Sequence, residues 1–205
     1  MPRSAVPDPA PSSLILIICG PAGSGKTTLC GRLREEFPRL ERLVTTTTRP
    51  PRPGEVDGVD YHFATPEAFA AGIARGEFIE WARVHGRYYG SRYEHLVAAL
   101  AKGRDLLLNI DVQGARSFRE QQHQRAELKG RLHTVFIKPR SREQLRARLL
   151  ARGSDDEEEI ARRLRSAEEE IRLADEFDFV LVSGSREEDY RRLRAYYLHL
   201  REGKG

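Results

Sequence analysis

Leu14-Ile-Leu-Ile-Ile-Cys19-Gly20-Pro-Ala-Gly-Ser-Gly25-Lys26-Thr27-Thr28 is the stretch from which the rest of the chain can be read. Its first six residues are all apolar and rich in β-branched side chains, which predicts a strand buried on both faces, as in a parallel sheet. Leu29, Leu33 and Phe37 then recur every fourth residue, predicting a helix from Lys26 to Phe37 that Pro38 stops. Between strand and helix, Gly20 to Thr27 satisfies G-x-x-x-x-G-K-[ST]. Glycines at those places let successive N–H groups turn inward on an anion, and the positive end of the helix dipole adds to the attraction. In such a loop Lys26 reaches the outer phosphates of a nucleoside triphosphate and the Thr27 hydroxyl sits on Mg²⁺. A Gly-rich turn without a ligand is the competing reading, and the flanking strand and helix weigh against it.

Further along, Asp105–Ile110, Leu132–Ile137 and Phe179–Val182 read as strands, with a helix from Ser91 to Lys102 closed by Gly103. Strands alternating with helices argue for an α/β domain with a mainly parallel sheet. Two regions break that rhythm. From Thr45 to Tyr89 the chain is polar and aromatic, with Pro and Gly turns around short strands at Tyr61–Phe63 and Phe78–Val84, which predicts an inserted α+β subdomain. From Ser141 to Glu176 it is helical and densely charged, with Gly153 separating two helices and Ser154 placed to cap the second. Ile160, Leu164, Ala167, Ile171 and Ala174 form one apolar stripe there. Glu158–Arg162, Glu159–Arg163 and Glu168–Arg172 have the spacing of favourable surface pairs.

The bulk numbers fit this picture. With 205 residues, 39% apolar and 32% charged, the chain can build one substantial core, and it is neither a disulfide-stapled miniprotein nor a disordered segment. A net charge of +4 suits a local anion site and is too even for wrapping nucleic acid. All but five of the 35 basic residues are Arg, which fits either phosphate recognition or codon bias. Cys19 and Cys30 suggest neither a disulfide framework nor zinc, and a reducing cytoplasm is the expected location. No apolar run approaches the length of a membrane span. Residues 1–13 hold four prolines and read as a disordered tail. Leu193, Tyr196, Tyr197 and Leu200 make a stripe on the last helix that reads as core packing or, alternatively, a partner surface.

Several residues outside the loop carry chemistry. Asp111, straight after a strand, stands where a carboxylate would sit beside the metal, or where it would cap the helix starting near Val112. Arg49 and Arg52 lie three apart in a proline-stiffened loop that loses little entropy on clamping a phosphate, or they are simply solvated. Tyr61 and Tyr89 offer phenolic donors. Glu80, between Ile79 and Trp81, is costly to bury without a donor and is therefore an ion-pair partner or a ligand reader.

Taken together the motifs resemble the guanylate kinase family from about Leu14 to the end of the chain. The likeness rests on Gly20–Thr28, Thr46–Tyr61, Glu77–Trp81, Tyr88–Ser91, Ile110–Gly114 and Arg148–Gly153 with Arg163 beyond. It implies an enzyme with a phosphate-loop NTPase-type parallel-sheet core flanked by helices at 14–44, 92–140 and 171–205. A GMP-binding α+β subdomain at 45–91 and a helical lid at 141–170 complete it. The ATP-binding residues would be Gly20, Pro21, Ala22, Gly23, Ser24, Gly25, Lys26, Thr27 and Thr28. GMP would be held by Thr45, Arg49, Arg52, Tyr61, Glu80, Tyr89, Ser91 and Asn109, with Mg²⁺ on Thr27 and Asp111. Lys26, Arg49, Arg52, Arg148, Arg152 and Arg163 would stabilise the charge in transfer. ATP and GMP would be the partners, with no nucleic acid and no membrane, and monomer and homodimer both stay open. Four positions depart from the family pattern: Asn109 for an acid, Thr45 for serine, Arg92 for a small hydroxyl residue, and Val182-Ser-Gly-Ser185 for an Asn/Asp-rich adenine loop. The rival readings are a non-catalytic interaction module of the same fold and a kinase with another phosphate acceptor.

Overall fold

The computed structural model describes residues 13–84, 86–151 and 156–203. Its strands are β1 (Ile15–Cys19), β2 (Leu40–Arg42), β3 (Thr46–Thr47), β4 (His62–Phe63), β5 (Phe78–Val84), β6 (Arg87–Arg92), β7 (Asp105–Asn109), β8 (Leu132–Lys138) and β9 (Phe179–Val182). Its helices are α1 (Lys26–Glu36), α2 (Pro66–Ala74), α3 (Tyr93–Ala101), α4 (Val112–Gln122), α5 (Arg142–Leu150), α6 (Glu157–Ile171) and α7 (Arg186–Arg201).

The core is a five-stranded sheet in the order β2-β7-β1-β8-β9, and every pairing in it is parallel. Strand β1 lies at its centre and is buried along its whole length. Because side chains alternate across a strand, Ile15, Ile17 and Cys19 enter the core cluster shared with Val112, Ala115 and Phe118 of α4. Leu14, Leu16 and Ile18 enter the cluster on the other face, with Leu29 and Leu33 of α1 and Leu193 and Tyr197 of α7. Tyr196 and Leu200 pack against that second cluster, so the last helix's stripe is core.

A second sheet, β4-β3-β6-β5, is built from residues 46–92. It meets the core where α4 packs on β5. Helices α5 and α6 form a third unit with its own small core of Leu145, Leu149, Ile160, Leu164 and Ala167. The α6 stripe therefore divides, because Ile171 and Ala174 belong to the main core. Ala174 itself opens a 3₁₀ turn beyond the helix end.

Local expectations differ from the structure at several places. Ser91 lies in β6, paired with Glu80, and α3 begins two residues later, because a cross-strand bond claims the serine. Phe37 caps α1 and does not continue it, β7 stops at Asn109, and Tyr61 makes only an isolated bridge to Asp57 before β4. Asp156 caps α6 by accepting from the Glu159 N–H; Gly153 and Ser154, the expected separator and cap, lie outside the described residues. Arg162 and Arg163 both reach Glu159, while Glu168 is met by Arg142 of α5. Of the expected tail, 1–12 lie outside the described residues, and Ser13 is buried with its carbonyl accepting from Arg131. Among the described residues no helix is long and apolar enough to cross a membrane.

Candidate active site

The chain leaves β1 at the C-terminal edge of the sheet and turns at Gly20, whose φ is +134°. A Cβ there would meet the Ile137 carbonyl oxygen of β8 at 2.5 Å, so only glycine lets the loop pass so close to the neighbouring strand. At the loop's other end Gly25 (φ +102°) supplies the N-cap of α1 with no side-chain acceptor. The first-turn N–H groups of α1 thus have no capping oxygen from that residue to compete with an anion. Lys26 Nζ donates to the carbonyls of Gly20 and Pro21.

A cleft of about 700 Å³ opens against this loop. Gly20, Ala22, Lys26 and Thr27 form part of its wall, Thr45, Tyr61, Glu80 and Tyr89 come from the second sheet and its connections, and Asn109, Ile110 and Asp111 follow β7. Glu80 is only 6% exposed, and its Oε1 accepts from the Ser91 hydroxyl at 2.6 Å. No cation pairs with it among the described residues. Burial pushes its carboxyl up to about 7; the Ser91 bond opposes this and the nearby Asp111 charge adds to it. Gly114 keeps room beside it, since a Cβ there would lie 3.1 Å from Glu80 Oε2.

Arg49 does not line the cleft directly. Its Nη2 bonds both oxygens of Glu55 at 2.7 and 2.8 Å, and its guanidinium carbon lies 5.3 Å from the centre of the Tyr61 ring. Glu55, which does line the cleft, also accepts from the Arg52 N–H at 2.8 Å, and this Arg49 pairing holds its carboxyl below the usual range. The Arg52 side chain is exposed on the same loop. The geometry is that of a triphosphate loop facing a pocket that ends in a buried, hydroxyl-anchored carboxylate.

The guanylate kinase family model matches residues 12–199. A guanylate kinase of Nitratidesulfovibrio vulgaris is 51% identical over 91% of this chain and 87% of its own. One from Thermosynechococcus vestitus is 46% identical over 88% and 89%. The crystal structure of guanylate kinase from Anaplasma phagocytophilum superposes with a TM-score of 0.69 at 30% identity, covering 93% of this chain and 87% of that one. The chain belongs to the guanylate kinase family. It is an ATP-dependent nucleoside monophosphate kinase that transfers a phosphoryl group to GMP.

Within the guanylate kinase frame, the remaining residues expected at the site fall into two groups. Pro21, Gly23, Ser24, Gly25 and Thr28 complete the loop and the start of α1, and Ser91 stands behind Glu80 as its donor. Arg148 on α5 donates to the Ser24 carbonyl and to the Ser183 hydroxyl, and Arg163 on α6 pairs with Glu159. Neither lines the cleft, and Arg152 lies outside the described residues.

Asp111 serves as the N-cap of α4, its Oδ1 accepting from the Gly114 N–H at 2.8 Å. Its carboxylate also lines the cleft together with Thr27, a hard oxygen donor set of the kind that suits Mg²⁺. Arg92 pairs with Glu77 at 2.7 Å beside the Phe78 ring, which explains a long cation where a small hydroxyl residue was expected.

Sequence reasoning missed Arg34, Arg42, Asp60 and Glu170 in the cleft wall. Glu170 sits on α6 near Lys26 and Asp111, and burial pushes its carboxyl up. Its position inside the run Glu168-Glu-Glu170 gave no sign of this.

Proposed function

We propose that ATP lies with its phosphates in the Gly20–Thr28 loop and that GMP lies across the cleft with guanine against Glu80. The observation that carries this reading is one cleft holding both Lys26 and the buried carboxylate of Glu80. An ionised Glu80 accepts from guanine N1–H and the 2-amino group. Adenine offers an unprotonated N1 and no 2-amino group, so a buried acceptor would face an acceptor. Thr45 and Ser91 would sit near O6, and Asn109 at the edge of β7 would bond GMP without adding charge.

The GMP phosphate would be gripped by Arg49, Arg52, Tyr61 and Tyr89. Glu55 holds Arg49 until the phosphate comes to share it. Lys26 would exchange its two loop carbonyls for the β- and γ-phosphates. Thr27 and Asp111 would hold Mg²⁺, which when bound offsets the charge of the phosphate oxygens. Arg148, Arg152 and Arg163 from the α5–α6 unit would close over the donor as a lid. A GMP phosphate oxygen then attacks the γ-phosphorus in line, the bond to the ADP oxygen breaks, and GDP and ADP leave. The attacking monoester is already anionic at neutral pH, so no general base is required and the work is positioning and cationic stabilisation.

A panel of acceptors tests the reading by ADP release. GMP is expected to exceed AMP, UMP and CMP in kcat/KM by at least about a hundredfold, the scale of leaving a buried polar group unpaired. The Lys26→Ala variant should abolish turnover. An equal or better rate with AMP would overturn the assignment of Glu80, and turnover surviving Lys26→Ala would overturn that of the loop.

A further inference from the structure

Arg148 is held by a buried chain of polar groups that reaches back into the core. Its Nη1 and Nη2 both donate to the Ser183 hydroxyl at 3.1 Å, and Nη1 also donates to the Ser24 carbonyl at 3.3 Å. Ser183, fully buried after β9, donates its own proton to Asp189 Oδ2 at 2.7 Å. The other oxygen of Asp189 accepts from the Gly184 N–H at 2.7 Å, and this carboxylate is only 4% exposed on α7.

A hydroxyl has one proton and two lone pairs. Here the proton is committed to Asp189, so the lone pairs turn toward the guanidinium. The arrangement fixes which way Ser183 points and places the Arg148 charge beside the phosphate loop. It also leaves the Arg148 Nε–H and one Nη2–H outside these bonds. Asp189 balances the Arg148 charge in a region from which water is largely excluded.

We propose that Ser183 and Asp189 are positioning residues for the donor nucleotide, holding Arg148 against the phosphate loop with two N–H groups that have no partner among the described residues and can meet phosphate oxygens. This rests on the reading that Arg148 contacts the ATP phosphates. In the 183–185 turn only the Ser183 side chain is buried, while the exposed Ser185 hydroxyl caps α7 by accepting from the Glu188 N–H. Through Ser183 the turn orients Arg148.

A double-mutant cycle tests the proposal. In Asp189→Asn the amide would present an N–H to Ser183, turning the serine proton toward the Arg148 cation. The expected result is a fall of roughly tenfold in kcat/KM for ATP, about the worth of one charge-assisted hydrogen bond. KM for GMP should stay within about twofold, a split that general loosening of the fold would not produce. In an Arg148→Ala background the same substitution should have no further effect. Ser183→Ala replaces Asp189→Asn in the cycle should the latter fail to fold, with the same expectation.

Unchanged ATP kinetics in Asp189→Asn alongside impaired kinetics in Arg148→Ala would overturn the positioning role alone. An undiminished effect of Asp189→Asn in the Arg148→Ala background would do the same. Full ATP kinetics in Arg148→Ala would overturn the role of Arg148 and this proposal with it.

Discussion

Substituting Glu80 by Gln should weaken catalysis and strengthen the fold at once. Burial pushes the wild-type carboxyl up to about 7, with Ser91 as its donor and no cation paired with it among the described residues. The folded chain thus holds a proton that the unfolded chain, with its glutamate near 4.5, has already lost. Stability contributed by this proton is complete below about pH 4.5 and is lost as pH rises through 7. The span corresponds to about 3 kcal/mol, at roughly 1.4 kcal/mol for each pH interval of one. The amide of Glu80→Gln would escape that cost while keeping an oxygen for Ser91, so at pH 8 the variant should melt several degrees higher than wild type, at about 2–4 °C per kcal/mol. Near pH 4.5 the two should converge.

The catalytic effect has the opposite sign. An amide turns one donor toward guanine's own donors, and kcat/KM for GMP should fall by about 10²-fold or more, with ATP affinity little changed. The wild type should lose GMP efficiency as pH falls through 7, because the protonated carboxyl no longer accepts twice; at pH 6 only about a tenth remains ionised. The GMP phosphate itself protonates near 6, so the variant serves as the control, its profile keeping that component and lacking the one near 7. Coupled ADP-release assays and thermal melts across pH 5–8.5 supply both readouts. A variant that melts lower than wild type at pH 8, or a wild-type profile matching the variant's through pH 7, would refute the reasoning.

Other substitutions follow from the same contacts. Gly20→Ala would place a Cβ 2.5 Å from the Ile137 carbonyl at a positive φ, so it should lose stability in urea melts by more than the roughly 1–3 kcal/mol of ordinary backbone strain, together with ATP binding. Tyr197→Phe removes a 2.7 Å bond to the fully buried Asp105, and should cost about 1–3 kcal/mol in denaturant melts while leaving kcat unchanged. Arg49→Ala should raise KM for GMP and leave KM for ATP near wild type, read from steady-state kinetics with each nucleotide varied in turn.

The first strand, the phosphate loop and the parallel alternation were legible because each depends on neighbours in sequence. An unbroken apolar run and a glycine spacing need no knowledge of distant partners. What was hidden depends on tertiary pairing. Strand β2 is three residues with two charged side chains, and it exists only because β7 offers it an edge. Ser91 reads as a helix start in isolation, whereas in the fold Glu80 claims it across the hairpin. Helix α2 carries a Thr65 cap and Pro66 at its first turn, a local signal masked by the Pro and Gly turns around it. Asp189 and Glu170 sit in acidic runs that suggest solvated helix faces, yet one is buried against Ser183 and the other lines the cleft. Arg49 and Glu80 stand out for their surroundings, but their partners, Glu55 and Ser91, emerge only with the fold.

A crystal structure with GMP and a non-hydrolysable ATP analogue would test the central claim most directly. Guanine N1 and its 2-amino nitrogen should lie within hydrogen-bond distance of the Glu80 carboxylate, with the triphosphate wrapped by Gly20–Thr28. A guanine ring seated away from Glu80, or a triphosphate bound elsewhere, would contradict it.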